Sequence, residues 1–174
     1  MYAGYSHAVR LVTHTRQPRP VVLDVELRTP VNSRIMQNYA AGHGARPLLI
    51  TAFPQHATDI AGWQQRRALL EVAGAETVVA NTYDSGRLRW SSILEKLQAA
   101  GLHSVMVEGG GSVIDELLCT HAQSPLLDVV IVTVAPTNVG EQGYGYKQDL
   151  WNTPNLRHID SLTLSPDTVE VLAP

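Results

Sequence analysis

The sequence predicts an α/β protein with a mostly parallel central sheet, helices on both of its faces, and antiparallel strands towards the C-terminus. Short apolar, β-branched runs recur at Val21–Asp24, Leu48–Thr51, Thr77–Ala80 and Ser104–Val107, the composition of strands buried on both faces. Segments of helical periodicity, about 10–15 residues each, separate most of them, which is the βαβ pattern of a parallel sheet. The last two β-runs, Leu126–Ala135 and Leu162–Leu172, have no helix between them, so they are expected to pair antiparallel.

Taken in order, residues 1–20 read as an N-terminal segment in front of a domain spanning 21–174. Within it Ala8–Thr13 is a candidate short strand, and the two prolines of Arg16–Pro20 favour an extended linker. Val21–Asp24 is followed by a loop through Glu26–Pro30. Ser33–Tyr39 reads as a helix or a turn, and Ala41–Pro47 as a loop with two glycines. Thr58–Ala73 places Ile60, Trp63, Arg67 and Leu70 on one helical face, with Gly74 as its stop. Asn81–Leu88 is a polar loop, and Trp90–Ala100 a helix ended by Gly101. Leu126–Ala135 is the longest β-run, Pro136–Gly145 a glycine-rich loop, and Leu162–Leu172 one strand or a hairpin around Ser165–Asp167.

The most informative stretch is Ser104–Leu118, SVMVEGGGSVIDELL. A buried strand is expected at Ser104–Val107, then Glu108, then three glycines. Ser112 and Asp115 form an S-x-x-D capping box at the start of a helix with Val113, Ile114, Leu117 and Leu118 on its apolar side. A helix N-terminus carries unpaired N–H groups and a partial positive charge of roughly half an electron. Glycines let the backbone approach a phosphate closely. Three in a row exceed what a tight turn requires, although Ile114 stands where the third glycine of a Rossmann fingerprint belongs. In open α/β sheets ligands sit at the carboxyl ends of the strands. Those ends are Asp24, Thr51, Ala80 and Glu108.

With 174 residues, 44% apolar and 17% charged, the chain is long enough for a real core. A net charge of −3 argues against nucleic acid, whose phosphates call for a basic excess. The single cysteine, Cys119, excludes an internal disulfide and reads as a small core residue. No run approaches the roughly 18 apolar residues of a membrane span, and MYAGYSHAVRLVTHT lacks the apolar region of a signal peptide. A soluble, cytoplasmic protein is expected. The seven histidines show no metal-ligand spacing, so no metal is expected.

The EGGG turn after VMV, with RPVVLD at Arg19–Asp24, LRTP at Leu27–Pro30 and VVIVTVAPTNVGEQGYGY at Val129–Tyr146, resembles the pyrimidine reductase family of riboflavin biosynthesis. That family has a dihydrofolate-reductase-like fold and occurs alone or as the C-terminal domain of a bifunctional deaminase–reductase. The resemblance runs from about Gln17 to the C-terminus. It implies NADPH-dependent reduction of the ribosyl group of a phosphorylated diaminopyrimidinone to ribityl, in a homodimer. It further implies NADPH phosphate and ribose at Gly109, Gly110, Gly111, Ser112, Val113 and Ile114. Leu23, Asp24 and Val25 become a second cofactor-contact stretch, and Leu88 a single apolar cofactor-facing position. Glu108 matches a substrate-contacting acid, and Arg10 stands roughly where the family has a phosphate-binding arginine.

An acid suits position 108. Beside the positive end of a helix its ionised form is favoured, and it accepts hydrogen bonds from substrate hydroxyl or amino groups. The front of the family pattern, an S-x-D-G strand, an H-x-x-R helix and a G-T-x-x-x-D-D-P loop, is missing from this sequence. In the implied fold the first strand is central, so its loss leaves a gap. Two readings therefore stand open: an NADPH-dependent reductase, or a shortened relative that binds a nucleotide or forms dimers without turnover.

Overall fold

The structure, a computed structural model, describes residues 17–138, 140, 143, 145 and 147–174. Arg10 and the strand expected at Ala8–Thr13 lie outside the described residues. The chain divides after His103 into two compact units, each taken by itself below.

In the first unit three parallel strands, β1 (Val21–Leu23), β2 (Leu48–Thr51) and β3 (Glu76–Val79), lie in the order β1-β2-β3. Their register sets Val21 against Leu48, and Leu48 against Glu76. The helix α1 (Arg34–Ala40) joins β1 to β2, and α2 (Ala57–Val72) joins β2 to β3. A third helix, α3 (Trp90–Ala99), follows β3. All four residues of β2 are buried, as an unbroken apolar run in a middle strand requires. Leu49 belongs to a core cluster with Leu27, Met36, Trp63, Leu70 and Ala75. The face expected of α2 is the one observed: Trp63 and Leu70 are buried, and Ile60 and Arg67 half-buried. Gly74 ends it at φ +104°, where a Cβ would stand 2.7 Å from the Tyr39 ring, so that turn admits only glycine.

Two arginines tie the amino ends of these strands together. Arg19 donates through Nε to the Arg46 carbonyl at 2.8 Å and pairs with Glu76 at 2.6 Å. Arg46 donates to the carbonyls of Gly74 and Ala75 at 3.1 and 2.9 Å. The charged head of the RPVVLD motif is thus a structural clamp, placed away from the strands' carboxyl ends.

The second unit begins with Ser104–Val107, and there the expectation of a buried strand is corrected. The segment pairs with no strand among the described residues, and Val105 and Met106 are 44% and 75% exposed. A β-branched run forms a ladder only where a neighbour offers its edge. The helix α4 (Gly111–Gln123) follows. Its N-cap is Gly110 with no side-chain cap bond, so Ser112 lies inside the helix and the S-x-x-D box does not form.

Asp115 is buried instead, and its Oδ1 accepts the backbone N–H groups of Lys147 and Gln148 at 2.8 and 3.2 Å. One and a half turns on, buried His121 accepts those of Leu126 and Leu127 at 3.0 Å through Nδ1. That anchor explains a second correction. Amides held by His121 are unavailable to a ladder, so the run Leu126–Ala135 yields only β4 (Val130–Val134). The longest strands are β5 (Arg157–Leu164) and β6 (Asp167–Ala173), the hairpin alternative around Ser165–Asp167. The sheet order is β4-β6-β5, antiparallel throughout. Cys119 is exposed rather than buried, because it lies on the flank of α4 next to the Leu117–Leu118 stripe.

Candidate functional site

The carboxyl ends of β1, β2 and β3 open onto one groove of about 560 Å³, within the roughly 300–1,000 Å³ usual for small-molecule sites. Val25 and Glu26 after β1, Ala52 to Gln55 after β2, and Thr82 and Gly86 after β3 line it, with the first three turns of α2 opposite. The crossover helices force every strand to end on this side, so the loops that follow converge.

Asp24 shapes the β1 wall. It is 7% exposed; Oδ1 accepts the Arg28 amide at 2.8 Å, and Oδ2 accepts the Thr29 amide and hydroxyl at 2.7 and 2.6 Å. Both oxygens are therefore occupied in folding the loop, which carries Leu27 at φ 54°, a conformation that a leucine adopts only under constraint. Of the predicted contact stretch, Leu23 and Val25 are 38% and 37% exposed and present apolar surface, whereas Asp24 is turned inward. Leu88 is 6% exposed. Its side chain is in the core, below the hairpin closed by the Thr82–Leu88 bridge.

Thr51, Trp63 and Phe53 form a linked series on the β2 wall. The Thr51 hydroxyl donates to the Val25 carbonyl at 2.9 Å, and the Trp63 indole N–H donates to Thr51 Oγ1 at 3.2 Å. Phe53 packs edge-on against Trp63, with ring centroids 5.6 Å apart. Arg67 lies over the Trp63 ring at 5.4 Å. Glu71, one turn further, has its carboxyl held below the usual value, chiefly by the Thr77 hydroxyl and next by Arg67. No sequence motif singles out Phe53, Arg28 and Arg66, which also line the groove. Their only signal is position: Phe53 is the second residue after the LLIT strand, and Arg66 lies on the Asp59–Gly62 face of α2.

The glycine turn stands in the other unit. Gly109 and Gly110 are exposed and Gly111 half-buried; Ser112 is exposed, with Val113 and Ile114 half-buried behind it. A Cβ on Gly109 would lie 2.8 Å from Val113 Cβ, while a Cβ on Gly110 would meet nothing within 4 Å. The first glycine is thus demanded by packing, and the second borders open space. Val113 and Ile114 donate back to the Gly110 carbonyl at 2.9 and 3.3 Å. The two amides before them, of Gly111 and Ser112, occupy helical positions that have no intrahelical acceptor. Open space, uncapped amides and the helix dipole fit the phosphates of a dinucleotide. Glu108 is exposed at the mouth of this turn; it follows a segment with no ladder partner among the described residues, not a buried strand. Among the described residues no cluster of His, Cys, Asp or Glu could hold a metal ion, and no helix is long and apolar enough to cross a membrane.

A family model described as the RibD C-terminal domain matches residues 2–170. A Kluyveromyces marxianus protein named 2,5-diamino-6-ribosylamino-4(3H)-pyrimidinone 5′-phosphate reductase is 32% identical over 130 residues, covering 72% of this chain and 45% of that protein. The Eremothecium gossypii protein of the same name is 28% identical over 150 residues, 85% of this chain and 54% of the relative. The chain thus spans about half the length of these curated relatives. A pyrimidine reductase-like protein from Corynebacterium diphtheriae superposes with a TM-score of 0.67 at 21% identity, covering 90% of this chain and 60% of its own. Acinetobacter baumannii RibD superposes at 0.59 with 20% identity, over 90% of this chain and 37% of its own. These likenesses fix the fold as dihydrofolate-reductase-like.

Proposed function

The chain belongs to the RibD C-terminal domain family, and on that premise we propose that it is an NADPH-dependent reductase of riboflavin biosynthesis. Its substrate on this reading is 2,5-diamino-6-ribosylamino-4(3H)-pyrimidinone 5′-phosphate or the deaminated form, whose ribosyl group becomes ribityl. The names of the relatives support the substrate. The observation that carries the reading is the glycine turn, open at Gly110 and with no side chain capping the helix behind it.

NADPH supplies the hydride when bound; the chain's own residues bind and orient. The amides of Gly111 and Ser112 donate to phosphate oxygens, with Gly110 allowing the close approach, Gly109 packing against Val113, and Val113 and Ile114 backing the turn. Glu108 accepts hydrogen bonds from substrate hydroxyl or amino groups and fixes their orientation. Leu23 and Val25 offer apolar contact; Asp24 acts by holding the loop after β1, and Leu88 by closing the Thr82–Leu88 bridge. Arg10 is assigned to the substrate phosphate. A homodimer in the cytoplasm completes the reading, the first part testable by light scattering.

A second reading, a nucleotide-binding or dimer-forming relative without turnover, is favoured by one observation: Ser104–Val107 leads into Glu108 with no ladder partner among the described residues. NADPH titration and NADPH oxidation with the pyrimidine substrate separate the two. Binding with turnover is expected. Binding without turnover selects the nucleotide-binding form of the second reading, and a chain that neither binds nor turns over leaves only its dimer-forming form, which a monomer in light scattering would reject.

A further inference from the structure

Between α2 and the loop after β1 lies a pit of about 170 Å³. Its walls are mainly apolar: Leu27 and Leu70 are buried, while Val31 and Leu69 are 46% and 53% exposed. The loop side is rigid. Leu27 is kept at φ 54°, and Asp24 accepts three hydrogen bonds from Arg28 and Thr29. Strain that its surroundings over-determine points to a shape with a use.

Arg28 and Arg66 stand at the same pit, and no acid lines it. Arg66 uses Nε in a bond to the Glu26 carbonyl at 3.0 Å. That bond orients the guanidinium, and its terminal N–H groups have no acceptor among the described residues. Arg28 pairs with Glu26 at 3.5 Å, with both side chains mostly exposed, and such a pair yields readily to a better acceptor.

The volume is below the roughly 300 Å³ at which small-molecule sites begin. It suits one bulky side chain, the usual anchor of a protein interface. Cations around an apolar hole call for carboxylates beside that anchor. Residues 1–16 carry Arg10 and Arg16 and no acid, so their charge is wrong for this place.

We propose that the pit docks an acidic segment of a partner protein. A bulky apolar side chain of that segment enters beside Val31 and Leu69, and flanking carboxylates pair with Arg66 and with Arg28 released from Glu26. The surface is separate from the glycine turn and stands whether or not the chain is a reductase.

NMR titration of the isotope-labelled full chain with acetylated, amidated pentapeptides tests it. One peptide has a phenylalanine flanked by glutamates; the others replace the phenylalanine by alanine, or the glutamates by lysines. The first is expected to bind, to shift the Val31 and Leu69 amides most, and to weaken as salt is raised. The alanine peptide should bind about tenfold more weakly, and the lysine peptide should not bind. Leu69→Gln is expected to cost about tenfold and Arg66→Gln about threefold or more. Val72→Gln, on the same helix but outside the pit, should stay within twofold. All three side chains are exposed, so melting temperatures should remain near that of the wild type. No binding of the phenylalanine peptide at millimolar concentration, equal binding of the lysine peptide, Leu69→Gln within twofold of the wild type, or shifts centred on Phe53 each overturn the proposal. So do concentration-dependent shifts of Val31 and Leu69 in the peptide-free chain, which would give the pit to a second copy.

Discussion

At Gly109 and Gly110 neighbouring residues of one type have different duties. Gly109→Ala drives a methyl group to 2.8 Å from Val113 Cβ, and overpacking of that kind costs about 1–3 kcal/mol. Gly110 has φ −65° and ψ 163°, which alanine adopts freely, and open space around it. Gly110→Ala should therefore melt like the wild type yet bind NADPH at least several-fold more weakly. Thermal melts and titrations on the two variants read this directly, and equal effects in both assays would contradict the assignment. Asp24 belongs to the same scale. Asp24→Ala strips the acceptor from three donors, two of them backbone amides, with an expected loss of about 2–4 kcal/mol in denaturant unfolding. The sequence showed that Asp24 ends a strand; only coordinates show that both its oxygens are already taken.

At the scale of elements, the first unit was legible and the second less so. Strand and helix positions from Val21 through Gly101 follow from local signals, apolar runs of strand length and glycine stops, and the structure keeps them within a residue or two. Beyond that point long-range bonds override local pattern. The S-x-x-D box gave way because Asp115 serves a loop 32 residues away, and the Leu126 run was cut short by His121. No periodicity announces either partner. His121→Ala should leave the Leu126 and Leu127 amides without an acceptor and cost about 1–3 kcal/mol. Their hydrogen exchange should accelerate relative to amides of β6, and unchanged protection would rule the anchor out. Exposed Cys119 should react with a thiol reagent in the native protein.

For the whole molecule, acidity is the global test. Glu71 is held below the usual carboxylate value by Thr77 and then Arg67, and Glu170 by Ser161 and then His158. Asp149 is lowered chiefly by the Asn152 side chain. Groups whose folded values lie below their unfolded ones stabilise the protein above the unfolded value, and that contribution fades as pH falls through the folded value. The melting temperature should thus be nearly flat above pH 5 and decline from about pH 4.5 downward. Thr77→Val should soften the decline, since it removes the hydrogen bond that lowers Glu71 most. An acid limb identical in that variant would show that Thr77 contributes nothing.

The arginine clamp on Arg19, Arg46 and Glu76 has an evolutionary corollary. Cohesion of the parallel strands is anchored at one rim while the groove opens at the opposite rim, so selection can rewrite the latter without renegotiating the former. Swapping Phe53–Gln55 or the Thr82–Gly86 hairpin for other sequences should redirect what the protein recognises and leave its resistance to urea almost untouched. Replacing Arg19 should do the reverse.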